Sequence, residues 1–203
     1  MRKATRVVVA GAMIAALAGC VSFGQQETQR FYVLVAALDN RAGKAVMPRA
    51  ATLLVASTTA SGFYETPEIA YSRAPGERAY YQLSTWTERP SRRITELIIM
   101  CIERDGLFKT VAADASGVQG ELVLNTHLAE FYHDAATPPG SVKVTITAEL
   151  TDPVRRALLA RHTFSRSAAA PSYDAPGAVQ AFNGAVKAVL DDISAWVDAT
   201  APR

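Results

Sequence analysis

Hydrophobic and polar positions alternate most strictly in "SVKVTITAELTD", where Val142, Val144, Ile146, Ala148 and Leu150 are interleaved with Lys143, Thr145, Thr147 and Glu149. A period of two sends successive side chains to opposite faces, so this segment predicts a strand with one buried and one wet face. "ALLARHTFSRS" returns after the Asp152-Pro153 turn as its antiparallel partner. "GELVLNTHLAEFYHD", ahead of both, puts Leu122, Leu124, Thr126 and Leu128 on one face of another strand. Shorter candidates are "FYVLVAAL" from Phe31, "ATLLVAS" from Ala51 and "KTVAAD". A hairpin fits the strands near Ile69 to Arg73 and Ala79 to Ser84, whose Pro75-Gly76 link has turn chemistry. The stretch holding Asn40, Gly43 and Pro48 reads as a loop, and so does "SAAAPSYDAPGA".

Two segments change to a helical period. After Trp86, Ile94, Leu97, Ile98, Cys101 and Ile102 recur with the 3, 4, 7, 8 spacing of one helix face. Pro90 suits the first turn, where an N–H has no partner to lose, and Gly106 suits the stop. Ile99 and Met100 widen the stripe and predict a helix covered on more than one side. Near the C-terminus, Val179, Phe182, Val186, Val189, Leu190, Ile193, Trp196 and Val197 mark a longer amphipathic helix. The order strands, helix, strands, helix predicts an α+β two-layer sandwich, a mostly antiparallel sheet with two main amphipathic helices on one face.

The N-terminus has a different pattern. Arg2, Lys3 and Arg6 precede an uninterrupted apolar run, Val7 to Ala18, and then Leu17-Ala18-Gly19-Cys20. Its roughly 12 residues would rise about 18 Å as a helix, short of a hydrocarbon core of about 30 Å. The three-part build is that of a secretory signal. The order Leu-Ala-Gly-Cys resembles the bacterial lipobox, which implies cleavage before Cys20 and acylation of Cys20, an anchor rather than a reactive thiol. Val21, in place of an Asp, implies sorting to the outer membrane. The organisation expected is therefore 1–19 signal peptide, 20–30 lipidated N-terminus and tether, and 31–199 one folded domain. About nine tether residues reach about 30 Å at full stretch, which keeps the domain close to its membrane.

Composition changes the picture in one respect. The chain has 21 Lys and Arg against 19 Asp and Glu, and removing Arg2, Lys3 and Arg6 leaves 18 against 19. With no basic block and no basic aromatic motif, nucleic acid is not an expected partner. Cys101 would be the lone cysteine besides the acylated one, placed among Leu97, Ile98 and Ile102 as a small buried hydrophobe.

Catalytic patterns are missing. His127, His133 and His162 are the three histidines; His127 and His133 could share a strand face, but no spacing supplies further ligands, so neither a metal nor a cofactor is expected. The motifs G-x-S-x-G, G-x-x-x-x-G-K-[ST] and H-E-x-x-H do not occur. Glu130 and Asp134 near His133 form a candidate polar patch, and Asp191-Asp192 reads as a solvated helix face. Tyr80, Tyr81 and Trp86 are the candidate interface residues, because such side chains join large area to a polar tip. Trp86 is weighed toward the core, leaving a tyrosine for the surface.

"IAYSRAPGERAYYQLSTWTERPSRRITELIIMCIERDGLFKTV", the pair "LVLNTHLAEFYHD" and "VKVTITAELTD", and a final helix ending "VLDDISAWV" together resemble the ABC-type transport auxiliary lipoprotein family. The telling pieces are Tyr71-Ser72-Arg73, Tyr80-Tyr81, and Trp86 followed by Pro90, in that order. One departure is the single proline and the Arg92-Arg93 pair of "TERPSRRIT", where members are often more apolar. The resemblance implies a non-enzymatic lipoprotein at the periplasmic face of the outer membrane. It implies an MCE-domain periplasm-spanning protein as partner, in an ABC-type lipid transport system, and a homo-oligomer as the assembled form. An envelope-assembly or peptidoglycan-associated structural lipoprotein is the alternative.

Overall fold

The structure, a computed structural model, describes residues 28–38 and 47–202. Cys20, the signal peptide, most of the tether, Asn40 and Gly43 lie outside the described residues. In chain order the elements are β1 (Arg30–Tyr32), β2 (Arg49–Val55), β3 (Thr59–Ala60), β4 (Glu68–Ser72), β5 (Ala79–Trp86), α1 (Pro90–Asp105), β6 (Phe108–Ala113), β7 (Leu122–Asp134), β8 (Ser141–Asp152), β9 (Ala157–Ala169) and α2 (Ala175–Thr200).

β8 is the element its alternation predicts, with Val142, Val144, Ile146, Ala148 and Leu150 fully buried. It lies antiparallel between β7 and β9. The opposite edge of β7 accepts three short strands in tandem: β2 at Leu53↔Leu122, β3 at Thr59↔His127 and β4 at Tyr71↔His133, all parallel. β6 extends β2, while β5 and then β1 extend β4, so the sheet forks into two wings along β7. The longest ladders are antiparallel and the short ones largely parallel, which makes the sheet mixed. Both helices cover one face, giving the α+β two-layer arrangement that the periodicities predict.

α1 starts on Pro90 and stops at Gly106, whose left-handed backbone (φ 64°) lets its N–H donate to the Glu103 carbonyl at 3.0 Å. Its predicted stripe, Ile94 to Ile102, is buried. The expectation of cover on more than one side fails: Met100 is 48% exposed, and Ile99 sits at the margin of the core. α2 is capped by Asp174, whose side chain accepts from the Gly177 N–H at 2.8 Å. Its apolar face carries Phe182, Val186, Val189, Leu190, Ile193 and Val197 into the same core. The helices meet where the Cys101 thiol, 1% exposed, donates to the Leu190 carbonyl at 3.6 Å.

Beside that contact is an ion network. Arg104 pairs with Asp105 at 2.7 Å and with Asp191 at 3.0 Å, Ser194 donates to Asp105 at 2.6 Å, and Lys187 also reaches Asp191. Hydrogen bonding to Asp105, then to Asp191, raises the Arg104 pKa against the opposing effect of burial. Asp192 pairs with Arg166 of β9 at 2.6 Å. The reading of Asp191-Asp192 as a solvated face is thereby corrected: the two carboxylates fasten α2 to α1 and to the sheet.

Two strands depart from their sequence pattern. The ladder of β1 ends at Tyr32, although alternation continues to Leu38, because the next backbone groups find side chains on the helices. Val35 N–H donates to Asn183 Oδ1 at 3.1 Å, and Arg93 Nε donates to the Leu34 carbonyl at 3.0 Å. In β7 the register shifts between Leu128 and Glu130, so Ala129 is an extra residue against β8. A bulge of one residue exchanges the two faces. Leu122, Leu124, Thr126 and Leu128 are buried before it, Phe131 and His133 after it. His127 and His133 therefore do not share a face: His127 stands opposite Thr147 on the outer side, and His133 opposite Val142 in the interior.

Candidate interface site

The three aromatic residues singled out from sequence enter three environments. Trp86 is 2% exposed and packs against the stacked Phe131 and Phe182, ring centroids 5.8 and 5.7 Å away. It joins β5 to α2 and presents no surface to a partner. Tyr80 is half-buried, stacked on Phe63 at 4.3 Å, and its hydroxyl donates to the Phe63 carbonyl at 2.7 Å. Burial, reinforced by Glu68 and Tyr64, raises its pKa.

Tyr81 points toward the end of β7, where its hydroxyl lies 2.7 Å from His133 Nδ1. His133 Nε2 lies 3.0 Å from the Pro139 carbonyl. A carbonyl can only accept, so Nε2 carries the proton and donates; Nδ1 then accepts from the Tyr81 O–H. Burial lowers the His133 pKa, and burial pushes that of Tyr81 up to about 12. Both groups are therefore neutral near pH 7 and both imidazole nitrogens are committed, so the pair braces the fold and offers no free base. Gly140 makes room for it at φ 85°, since a Cβ there would overlap His133 Nε2 and the Asp134 carbonyl oxygen.

Above this pair is an open cleft of about 570 Å³ between the β4–β5 wing and the first turn of α2. Arg30, Tyr71, Arg73, Tyr81, Leu83 and Tyr173 line it. The Tyr71 and Tyr81 rings are 4.9 Å apart, and the Arg73 guanidinium lies 5.1 Å from the Tyr71 ring centre. Asp174 at the rim is held below the usual carboxylate range by hydrogen bonds from Ser172 and the Gly177 N–H, with Arg30 and His133 adding to the effect. The cleft thus combines aromatic faces with cations, a binding chemistry. Sequence reasoning found Tyr80 and Tyr81 but not Tyr173 or His133 as parts of this region. The one available signal was Tyr71-Ser72-Arg73, next to the turn.

The predicted polar patch is divided by the alternation of β7 beyond its bulge. Glu130 accepts from Thr145 at 2.9 Å and Asp134 pairs with Lys143 at 3.4 Å, while His133 faces inward. His127 lies outside against Thr59 at 2.9 Å, and His162 packs on Phe164. Among the described residues, no group of three or more His, Cys, Asp or Glu is placed to hold a metal ion, and no helix is long and apolar enough to cross a membrane.

A crystal structure of protein XCC0632 from Xanthomonas campestris, of family DUF330, matches this fold with a TM-score of 0.76 at 20% identity, covering 84% of this chain and 95% of that one. A second crystal structure, of an uncharacterized protein, matches with a TM-score of 0.66 at 11% identity, covering 84% and 99%. At these identities the likeness is one of fold. No curated protein matches the chain. The family model described as the ABC-type transport auxiliary lipoprotein component matches residues 32–194, from β1 into the last turns of α2. That span includes every element of the core except the ends of the domain, and its function is auxiliary, lipid-anchored and non-enzymatic, within envelope transport. The chain belongs to the ABC-type transport auxiliary lipoprotein family.

Proposed function

We propose that the protein is the outer-membrane docking piece of an MCE/ABC-type lipid transport system. Acyl chains on Cys20 hold it at the periplasmic face, and the folded domain receives the end of an MCE-domain periplasm-spanning protein. Several copies assemble around that end, and the transported lipid or hydrophobic solute moves with energy supplied elsewhere.

The observation that carries this reading is the family match over residues 32–194, on a chain whose Leu17-Ala18-Gly19-Cys20-Val21 has the order of a lipobox without an inner-membrane retention Asp. Supporting it, the side chains near the cleft are committed to structure, and the exposed aromatic and cationic groups suit binding. Crosslinking in intact cells is the test. The reading expects an MCE protein as the main adduct; peptidoglycan or an outer-membrane barrel in its place supports the structural-lipoprotein alternative. Cys20→Ala should release the protein from membranes. Retention as tight as before would remove the acyl anchor from the account.

A further inference from the structure

Immediately after the tether, the chain exposes a row of apolar side chains. Phe31 is 66% exposed, Val33 50% and Val35 45%, while Leu34 between them is buried at 3%. Alternation puts the three on one side of an edge segment. Phe31 pairs with Thr85 of β5, and Leu83 of the same strand is also exposed, at 38%. This is a continuous apolar stripe, not a scatter of single residues. Beside it, Arg30 and Arg73 are exposed and, among the described residues, form no salt bridge.

We infer that this stripe rests on the bilayer, so that the Phe31–Val35 edge is a second, non-covalent membrane contact with a lipid surface. It rests on the acyl-anchor reading above. The tether argues for that occupant. Only about nine residues separate Cys20 from Arg30, so Phe31 stays within about 40 Å of the anchored sulfur and is the first apolar side chain of the folded domain. Charge argues the same way, since Arg30 and Arg73 would lie among anionic headgroups. The contact fixes which side of the domain faces the membrane and leaves the opposite end for the periplasm.

The experiment places a single polarity-sensitive dye on the full acylated protein in vesicles of phosphatidylethanolamine and phosphatidylglycerol. Phe31→Cys and Val33→Cys are the test sites, and Met100→Cys, on the outer face of α1, is the control. Cys101 is buried and stays unlabelled in the folded protein. The inference expects the dye at the test sites to shift to the blue and be quenched by brominated lipid, with at least about tenfold more quenching than at position 100. A dye at positions 31 and 33 that remains in water while the protein stays on the vesicles overturns it. A shift that persists in detergent and disappears on dilution also overturns it, and assigns the stripe to a second copy of the chain. Protein that leaves the vesicles with an unmodified Cys20 by mass spectrometry removes the anchor reading, and the orientation falls with it.

Discussion

Gly140→Ala tests the brace beneath the cleft. A Cβ at this position has two costs that a second glycine separates. Gly117 has a similar backbone (φ 76°) but open space around its would-be Cβ, so Gly117→Ala carries the left-handed penalty alone, about 1 kcal/mol. At Gly140 the same penalty is joined by overlap with His133 Nε2 and the Asp134 carbonyl. Relief means displacing the imidazole, which gives up its bonds to Pro139 and Tyr81 at about 1 kcal/mol each. Gly140→Ala should therefore destabilise by about 3 kcal/mol, a fall in Tm of about 6 to 12 °C for a domain of this size. Urea unfolding of both variants, followed by circular dichroism, measures the difference. In a His133→Ala background the ring part should vanish, leaving a coupling of about 1 to 2 kcal/mol in the double-mutant cycle. Equal losses for the two alanines, or no coupling with His133, would refute the idea that Gly140 is there to seat the imidazole.

The same histidine sets a pH dependence. Its native pKa lies below the ordinary value of about 6.5, so unfolding takes up a proton in that range; stability is complete above pH 6.5 and falls as the pH drops through the native pKa. Urea midpoints at pH 7.5 and 5 should differ accordingly, and His133→Asn should reduce the difference. Arg104→Met leaves Asp105 and Asp191 without their shared cation at the α1–α2 contact and should cost about 2 to 4 kcal/mol by chemical denaturation; a loss below about 0.5 kcal/mol would show the network to be dispensable. Phe182→Ala empties the space beside Trp86 and Phe131, and calorimetry should register a loss of about 3 to 5 kcal/mol.

Much of this architecture was legible because burial repeats at short period. β8 alternates over its full length, and α1 is bounded by Pro90 and Gly106, so local chemistry agrees with the tertiary result. What stayed hidden depends on residues far apart in the chain. Nothing local in "LNTHLAEFYHD" announces that Ala129 is an extra residue, since a bulge is defined only against a partner strand. Missing it places His133 beside His127. The pairing of Asp191 with Arg104 is hidden for the same reason: a helical period tells which side is apolar, not which neighbour stands at its margin. The run from Phe31 to Leu38 looks like a full strand because its side chains alternate, yet its backbone is taken by Asn183 and Arg93 after the ladder ends. Tyr81 was legible as an aromatic residue on a strand, but its hydrogen bond to His133 joins β5 to β7, strands about fifty residues apart in the chain that are not neighbours in the sheet.

The tandem seating of β2, β3 and β4 along one edge of β7 bears on how the chain acquires its structure. Those contacts join residues about 60 to 70 positions apart, a separation that slows folding because long loops must close before any pairing is rewarded. A chain threaded amino end first through a translocation pore presents its early strands well before the later one they must flank. Its leading half then has unpaired strand edges until Leu122–Asp134 arrives, and mutations that weaken β7 should be felt as degradation during export more than as lost activity in the finished protein.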